Sequence, residues 1–552
     1  MHSTKNANGN ESFLSRNRAV FDWCVRSANR ELDAGRPRRA VEWCSLAAFL
    51  AQGPGWFGFL ADAGLEEVLR RVAAGLPAPR FQAREKHPRR WLHVMTEAWF
   101  WGGMVENVKK WIRFTRDKAV NDLVVYAQKR RDWTDSLRAE VEANGGKFIL
   151  MEGQVTPLEK ALALRRLAAS EADAVLLHTI VHDIVPALAF GVPGGPPILR
   201  MNHDDHMFWT GACAIDCVVD FRELGKRWTF EHRGLDRSFI LPLPMEEILK
   251  DPSADKSELA RRAVRERFGI PHDAIVLLAV GSGYKFNPFE QWDFLDAADA
   301  ILARCPDAFI LGVGMEHKGR WCAVSNAHQG RLKALGVQTD MTDCLLASDI
   351  GLGSIPFPSQ TAILEVALVG RPCVLTPRDV PMGINDVAFD EFSQPADMHE
   401  YIAMAAGLVV DKGRRLSEGA LLAESARRHH GKEAWIAAFE EMVHRLPPTH
   451  EIYPLNRLMP MSASQTRYWA YRMNPQGHEA LRHVHYDIIA KNRKISPIMD
   501  ALLANALGVP RGLRTLSTLI YYQRSVRFHF GMLRRRLSGQ SKAIALASSP
   551  KV

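Results

Sequence analysis

What this chain lacks narrows it first. No stretch offers the roughly 20 uninterrupted apolar residues that a membrane-crossing helix needs, and the opening MHSTKNANGNES holds no apolar run of the secretory kind. The expectation is a soluble protein of the cytoplasm. The eight cysteines, Cys24, Cys44, Cys213, Cys217, Cys305, Cys322, Cys344 and Cys373, form no paired short spacings. Neither a disulfide framework nor a cysteine-rich zinc site follows from them, and they read as reduced thiols. An even basic surface is missing too, although the net charge is +9. From Glu451 onward there are 16 Lys and Arg against 4 Asp and Glu, which leaves 55 against 58 upstream. The body is near neutral, and its basic residues are not interleaved with aromatics on a strand platform, so nucleic acid is not an expected partner.

What is present is ample material for several cores. At 552 residues with 47% hydrophobic and 24% charged side chains, the chain is folded and multi-domain. Residues 1–87 read as a helical region. Its DAGRPRRAVEWCSLAAF fragment is similar to one helix pair of a tetratricopeptide repeat, without a convincing recurrence at the period of about 34 residues. From 88 to 250, short β-rich runs (LHVM, LVVYA, FILM, AVLLH, PILRMNH, CVVDF, FILPLP) alternate with helical stretches. Such alternation predicts a parallel sheet with crossover helices. A second alternating unit, 251–450, runs through IVLLAV, FILGVG, the Val337 region, IGLGS and PCVLTP, with helices at about 289–304, 324–335, 360–369 and 395–411. The expected fold is α/β, with two tandem Rossmann-like parallel-sheet domains and helical appendages at both ends. Helices between Leu421 and His444 are placed to cross back to the first domain, and 451–552 forms a basic helical tail.

In open parallel sheets, ligands gather beyond the carboxyl ends of the strands. After LHVM comes Thr96–Gly103, where Gly102 and Gly103 either let backbone approach a ligand or merely make a turn. This loop lacks the GxGxxG pattern of dinucleotide sites. AVLLH ends in His178, followed by His182 and Asp183; PILRMNH ends in His203, followed by Asp204, Asp205 and His206. Imidazoles at strand ends suit a base or a partner for sugar hydroxyls, and His178 and His203 are the candidate catalytic pair. A metal held by His203-Asp-Asp-His206 is the competing reading, although the spacing matches no specific motif. No ion and no cofactor is required.

The second unit supplies Gly281-Ser-Gly283-Tyr-Lys285-Phe-Asn-Pro288 after its first strand, with a helix expected near Pro288. Backbone amides around Gly283 and the ammonium of Lys285 suit a nucleotide diphosphate. Beyond IGLGS, Ser359 is placed to cap a helix carrying Thr361 and Glu365. A carboxylate on so apolar a helix needs a partner, either two ribose hydroxyls or a guanidinium such as Arg371.

These residues carry a family resemblance. The block SDIGLGSIPFPSQTAILEVALVGRPCVLTP resembles the donor-binding stretch of GT-B glycosyltransferases, and YKFNP resembles the phosphate-binding lysine loop of their O-GlcNAc-transferase-like branch. AVLLHTIVHD and LHVMTEAWFWGG are similar to the strand-end histidine and Gly-rich acceptor loop of that fold. The resemblance covers about residues 90–445. It implies transfer of a sugar from a nucleotide sugar to a glycan, lipid-linked or protein acceptor, in polysaccharide biosynthesis or a related process. Glu365, Lys285, Gly283 and Thr361 would hold the donor, His178 and His203 would face the reacting groups, and Gly102, Gly103 and His182 would line the acceptor side. One departure stands out: many retaining members carry an acidic pair here, and the earlier position is Phe357. A nucleotide-sugar epimerase of the same fold, or a non-catalytic helical scaffold, are the alternatives. The tail, with Leu513, Leu516, Leu519, Ile520, Val526, Phe530, Leu533 and Leu537 among arginines, reads either as a peripheral contact with the inner face of a membrane or as a segment docking on the protein's own acidic surface.

Overall fold

The computed structural model describes residues 3–473, apart from 54, 79–87, 100–101, 154–155, 247–253, 339, 383–393 and 456–457. The basic amphipathic segment around Leu513–Leu537 lies outside these residues. Residues 25–48 and 58–468 form one compact unit that carries both sheets, and the described parts of 1–24, 49–57 and 469–552 belong to a second.

The N-terminal region is helical: α1 (Ser3–Asp33), α2 (Pro37–Ala51), which opens on a proline that needs no intrahelical N–H, and α3 (Ala63–Ala74), capped by Asp62 through the Leu65 amide at 2.9 Å. Within the smaller unit, Asn17 donates to the Trp56 carbonyl at 2.9 Å and the rings of Phe21 and Phe57 lie 4.5 Å apart.

The first sheet domain runs β1 (Arg90–Met95), α4 (Gly103–Phe114), β2 (Val120–Val125), α5 (Asp135–Ala143), β3 (Phe148–Leu150), α6 (Pro157–Glu171), β4 (Ala174–His178), α7 (Val185–Phe190), β5 (Ile198–Met201), β6 (Cys217–Asp220), α8 (Glu223–Arg233) and β7 (Ser238–Ile240). Seven parallel strands lie in the order β3-β2-β1-β4-β5-β6-β7. The second domain runs α9 (Ala254–Arg267), β8 (Ile275–Val280), α10 (Phe294–Arg304), β9 (Ala308–Val313), α11 (Gly319–Ala327), β10 (Leu332–Ala334), α12 (Thr342–Ala347), β11 (Ile350–Leu352), α13 (Gln360–Leu368), β12 (Cys373–Val374) and α14 (Met398–Val410). Its five strands are also parallel, in the order β10-β9-β8-β11-β12. Strands of this kind are covered on both faces, which is why AVLLH and IVLLAV read as continuous apolar runs. The two-domain α/β architecture expected from the alternation is the one observed.

Local departures have local causes. The helix expected near Pro288 starts only at Phe294, because Phe289 and Trp292 pair across a tight turn and Asp293 caps the Leu295 amide at 2.9 Å. The strand placed near Val337 lies earlier, at 332–334. Gly330 at positive φ ends the preceding turn there, and Val337 itself is exposed.

After α15 (Lys412–His430), Gly431 breaks the helical run and α16 (Lys432–His444) begins. The α16 side chains Trp435, Phe439 and Met442 pack among Trp91, Trp111, Phe114 and Leu176 of the first domain. The crossing back expected from the sequence is present. Beyond α16 the chain lies against that domain, with Gly194 N–H donating to the His450 carbonyl at 2.8 Å and Tyr453 N–H to the Cys213 carbonyl at 3.1 Å, and α17 (Ala463–Met473) follows.

Candidate functional site

Strand order reverses between β1 and β4 in the first sheet and between β8 and β11 in the second. A crevice forms at such a point because the two connections leave in opposite directions. Both crevices carry the residues singled out from sequence.

At the first, β1 leads to Gly102, whose φ of 124° and ψ of 154° are open to glycine alone, and then to the start of α4 at Gly103. No side chain caps that helix. The adjacent loops are tied by Asp183, which accepts from Thr96 Oγ1 at 2.6 Å, Tyr126 Oη at 2.5 Å and the Val185 amide at 2.9 Å. Burial and the Asp183 charge push the Tyr126 phenol well up, so it stays a donor. His182 sits half-buried beside this clamp.

His178 and His203 are brought together: His178 Nδ1 and His203 Nε2 lie 3.0 Å apart. They are not alone. His178 Nε2 is 3.0 Å from Nδ1 of His93, whose ring plane is within 9° of its own, and His93 Nε2 is 3.0 Å from Asn121 Oδ1. His93 is fully buried and His178 is 1% exposed, whereas His203 keeps contact with the surroundings. Burial pulls the three imidazoles down, His93 to about 4 and His203 to about 3, with His203 also lowered by the Arg200 charge. All three are neutral near pH 7. His93 and Asn121 escaped sequence reading because they lie inside strands; the signal was a histidine within the apolar LHVM and an asparagine at the second position of VNDLVV.

Asp205, a ligand in the metal reading, is engaged by Arg222 Nε at 2.7 Å and His206 Nδ1 at 3.2 Å; burial pushes its carboxyl up, but the Arg222 charge and these hydrogen bonds outweigh it and hold the group well below the usual range. Among the described residues no group of three His, Cys, Asp or Glu side chains is placed to hold a metal ion.

At the second crevice, Gly283–Phe286 after β8 form a single 3-10 turn that opens on Gly283. Lys285 Nζ reaches across to donate to the Pro358 carbonyl at 3.1 Å and stands 5.3 Å from the Phe357 ring centre. The two loops touch at Gly281, where a Cβ would fall 2.7 Å from Ser359 Oγ. Ser359 occupies the N-cap of α13 as expected, but its hydroxyl does not cap. It lies 2.9 Å from Ser354 Oγ instead, so the first turn of α13 has no side-chain cap. Its amides are the kind of donor that anions use.

Thr361 is in that first turn and Glu365 stands one turn further along the same face. The Glu365 carboxylate has no hydrogen bond or ion pair among the described residues. Burial raises its pKa, while Lys110 lowers it and Glu106 raises it, both from α4 of the first domain. Glu365 therefore looks across the domain boundary. Arg371, its alternative partner, lies instead in the field of Arg261, Asp349 and Arg265. Phe357 stands at the same boundary, 5.1 Å from the His206 ring.

Loops beyond the strand ends of the two parallel sheets meet, His206 against Phe357, and α16 returns to the first domain. The fold is GT-B-like. Solved structures similar to this chain include an O-GlcNAc transferase mutant of Thermobaculum terrenum, 17% identical over 77% of this chain and 84% of that one, with a TM-score of 0.44. HepE of Anabaena, solved with UDP and glucose, is 14% identical over 65% and 100%, TM-score 0.49. The UDP-GlcNAc 2-epimerase of Neisseria meningitidis, bound to UDP-GlcNAc, is 11% identical over 64% and 99%, TM-score 0.41. Likeness of this degree transfers neither activity nor substrate. No protein-family model matches the chain, and no curated protein matches it. Within the GT-B-like frame, what remains specific to this chain is its own side chains. No helix among the described residues is long and apolar enough to cross a membrane.

Proposed function

We propose that this protein is a glycosyltransferase that moves a sugar from a nucleotide-sugar donor to a glycan, lipid-linked or protein acceptor. The observation that carries the reading is the Glu365 carboxylate, half-buried, without a hydrogen bond or ion pair among the described residues and facing Lys110 and Glu106 across the domain boundary, one turn beyond an uncapped helix start beside which Lys285 is moored. A buried carboxylate without a donor is costly, and paired ribose hydroxyls supply two.

In this reading the diphosphate lies against Lys285, the amides of the Gly283 turn and the first turn of α13 near Thr361. Fixed positive charge there stabilises the nucleotide as it departs, which is where negative charge grows in the transition state. His203 is the imidazole exposed toward the acceptor, and Gly102, Gly103 and His182 line that side. No step calls for a metal.

The test is a thermal-shift screen of the full chain against UDP-glucose, UDP-N-acetylglucosamine, GDP-mannose and the free nucleotides, followed by product analysis. A binder at about one hundred times its Kd stabilises the fold by about 2.7 kcal/mol. Slow release of free sugar supports transfer chemistry, isomerised sugar replaces it with epimerisation, and no shift from any of them removes the proposal.

A further inference from the structure

The three-histidine chain has a direction that its neighbours dictate. The Asn121 backbone N–H donates to Asn144 Oδ1 at 2.7 Å, which fixes the Asn144 amide. Asn121 Nδ2 then faces only acceptors: Asn144 Oδ1 at 3.2 Å, the Ala119 carbonyl at 3.4 Å and Thr115 Oγ1 at 3.0 Å, whose own proton goes to the Trp111 carbonyl at 2.8 Å. Turning the amide over would set oxygen against oxygen, so Asn121 Oδ1 points at His93 and can only accept.

A neutral imidazole carries one N–H. His93 spends it at Nε2 on Asn121, leaving Nδ1 as an acceptor; His178 must then donate from Nε2 and accept at Nδ1; His203 must donate from Nε2. The consequence appears at the outer end. His203 Nδ1 is left as a lone pair, with no hydrogen bond among the described residues and not sealed from solvent. The neutrality this requires agrees with the burial that depresses all three groups.

We propose that Asn121 and His93, acting through His178, are positioning residues that lock His203 in the Nε2–H tautomer, so that its Nδ1 accepts a hydrogen bond from the acceptor hydroxyl and aims that oxygen at the donor sugar. The tautomer is a property of the free protein, whereas its use on an acceptor rests on the transferase reading above. The other tautomer would present an N–H, which repels a hydroxyl proton and cannot orient the oxygen lone pair outward for attack.

The experiment is long-range ¹H–¹⁵N NMR of the full chain labelled at histidine, without ligand at pH 7.5, with His203→Gln for assignment. All three rings are expected in the Nε2–H form. In Asn121→Leu and His93→Leu the His203 signal should change to a tautomer mixture, and His93→Gln, whose side-chain oxygen can accept from His178, should restore it. A His203 ring carrying its proton on Nδ1 in the wild type, or unchanged by Asn121→Leu, overturns the lock. Should Asn121→Leu fail to fold by circular dichroism, the wild-type spectrum and the His93 pair still decide.

Turnover of whichever of UDP-glucose, UDP-N-acetylglucosamine and GDP-mannose is used by the wild type tests the second half. His93→Leu is expected to lower kcat by about tenfold or more while donor KM stays within about twofold, with recovery in His93→Gln. Equal kcat in all three overturns the orienting role. If the tautomers are as stated and no nucleotide sugar binds, the lock stands and the transferase reading fails.

Discussion

Gly281 sits where two loops touch, and it shows how little room the second crevice leaves. A methyl group there would press on Ser359 Oγ at 2.7 Å and on Lys285 Cδ at 3.3 Å. Gly281→Ala is therefore expected to cost about 1–3 kcal/mol in urea unfolding, the range for overpacking, and to weaken donor binding by displacing Lys285. Unchanged stability would mean the loops part freely. Lys285, Thr361 and Glu365 stood out as candidates in the sequence because a glycine-rich turn or a helix start follows the strand that precedes each of them. His93 and Asn121 were not. Each occupies a strand interior, where position alone suggests packing, and only the requirement that a buried polar group find a partner points to the other. His178 was legible as a strand-end residue, but not its 1% exposure, which follows from His203 lying over it.

Helices and strands respond to the same pressures on a longer reach. The α16 helix closes the first domain's core from the far end of the chain, with Trp435 fully buried and its ring 5.1 Å from Trp111. Trp435→Ala is expected to destabilise the protein by about 3–5 kcal/mol, read as a shift of the urea midpoint. A change below about 1 kcal/mol would show that α16 rests on the domain without holding it. Most strands were legible to within a residue or two, since a both-sided buried strand is an apolar run bounded by turns. The start of α10 was not, because the aromatic pair Phe289 and Trp292 outweighs the helix signal of Pro288. Nor was the missing cap of α13: Ser359 has the right residue type in the right place, and a neighbouring hydroxyl, Ser354, competes for it.

Across both domains, acid is expected to weaken the fold in a defined window. The three imidazoles have folded pKa values below the ordinary value of about 6.5, so the unfolded chain binds more protons below that pH. Their contribution is full above about pH 6.5 and declines as pH falls toward 4, where His93 itself titrates. His93 alone accounts for about 2–3 kcal/mol lost by pH 4.5, and His93→Gln is expected to flatten the curve of unfolding free energy between pH 7 and 4.5 by that amount. An identical pH dependence in the variant would show that His93 is not held neutral. The tandem arrangement that brings these groups to one end of each sheet was legible from strand and helix alternation alone; which loops meet across the boundary was not, because His206, Phe357, Glu365 and α4 are far apart in sequence. The proposed function depends on that meeting. Isothermal titration calorimetry tests it most directly, using the nucleotide sugar that gives the largest thermal shift, against the wild type, Lys285→Ala and Glu365→Gln. Binding by the wild type with affinity reduced about tenfold or more in each variant is the expected result, about 1.4 kcal/mol apiece; equal affinity in all three would contradict the placement of the donor between Lys285 and Glu365.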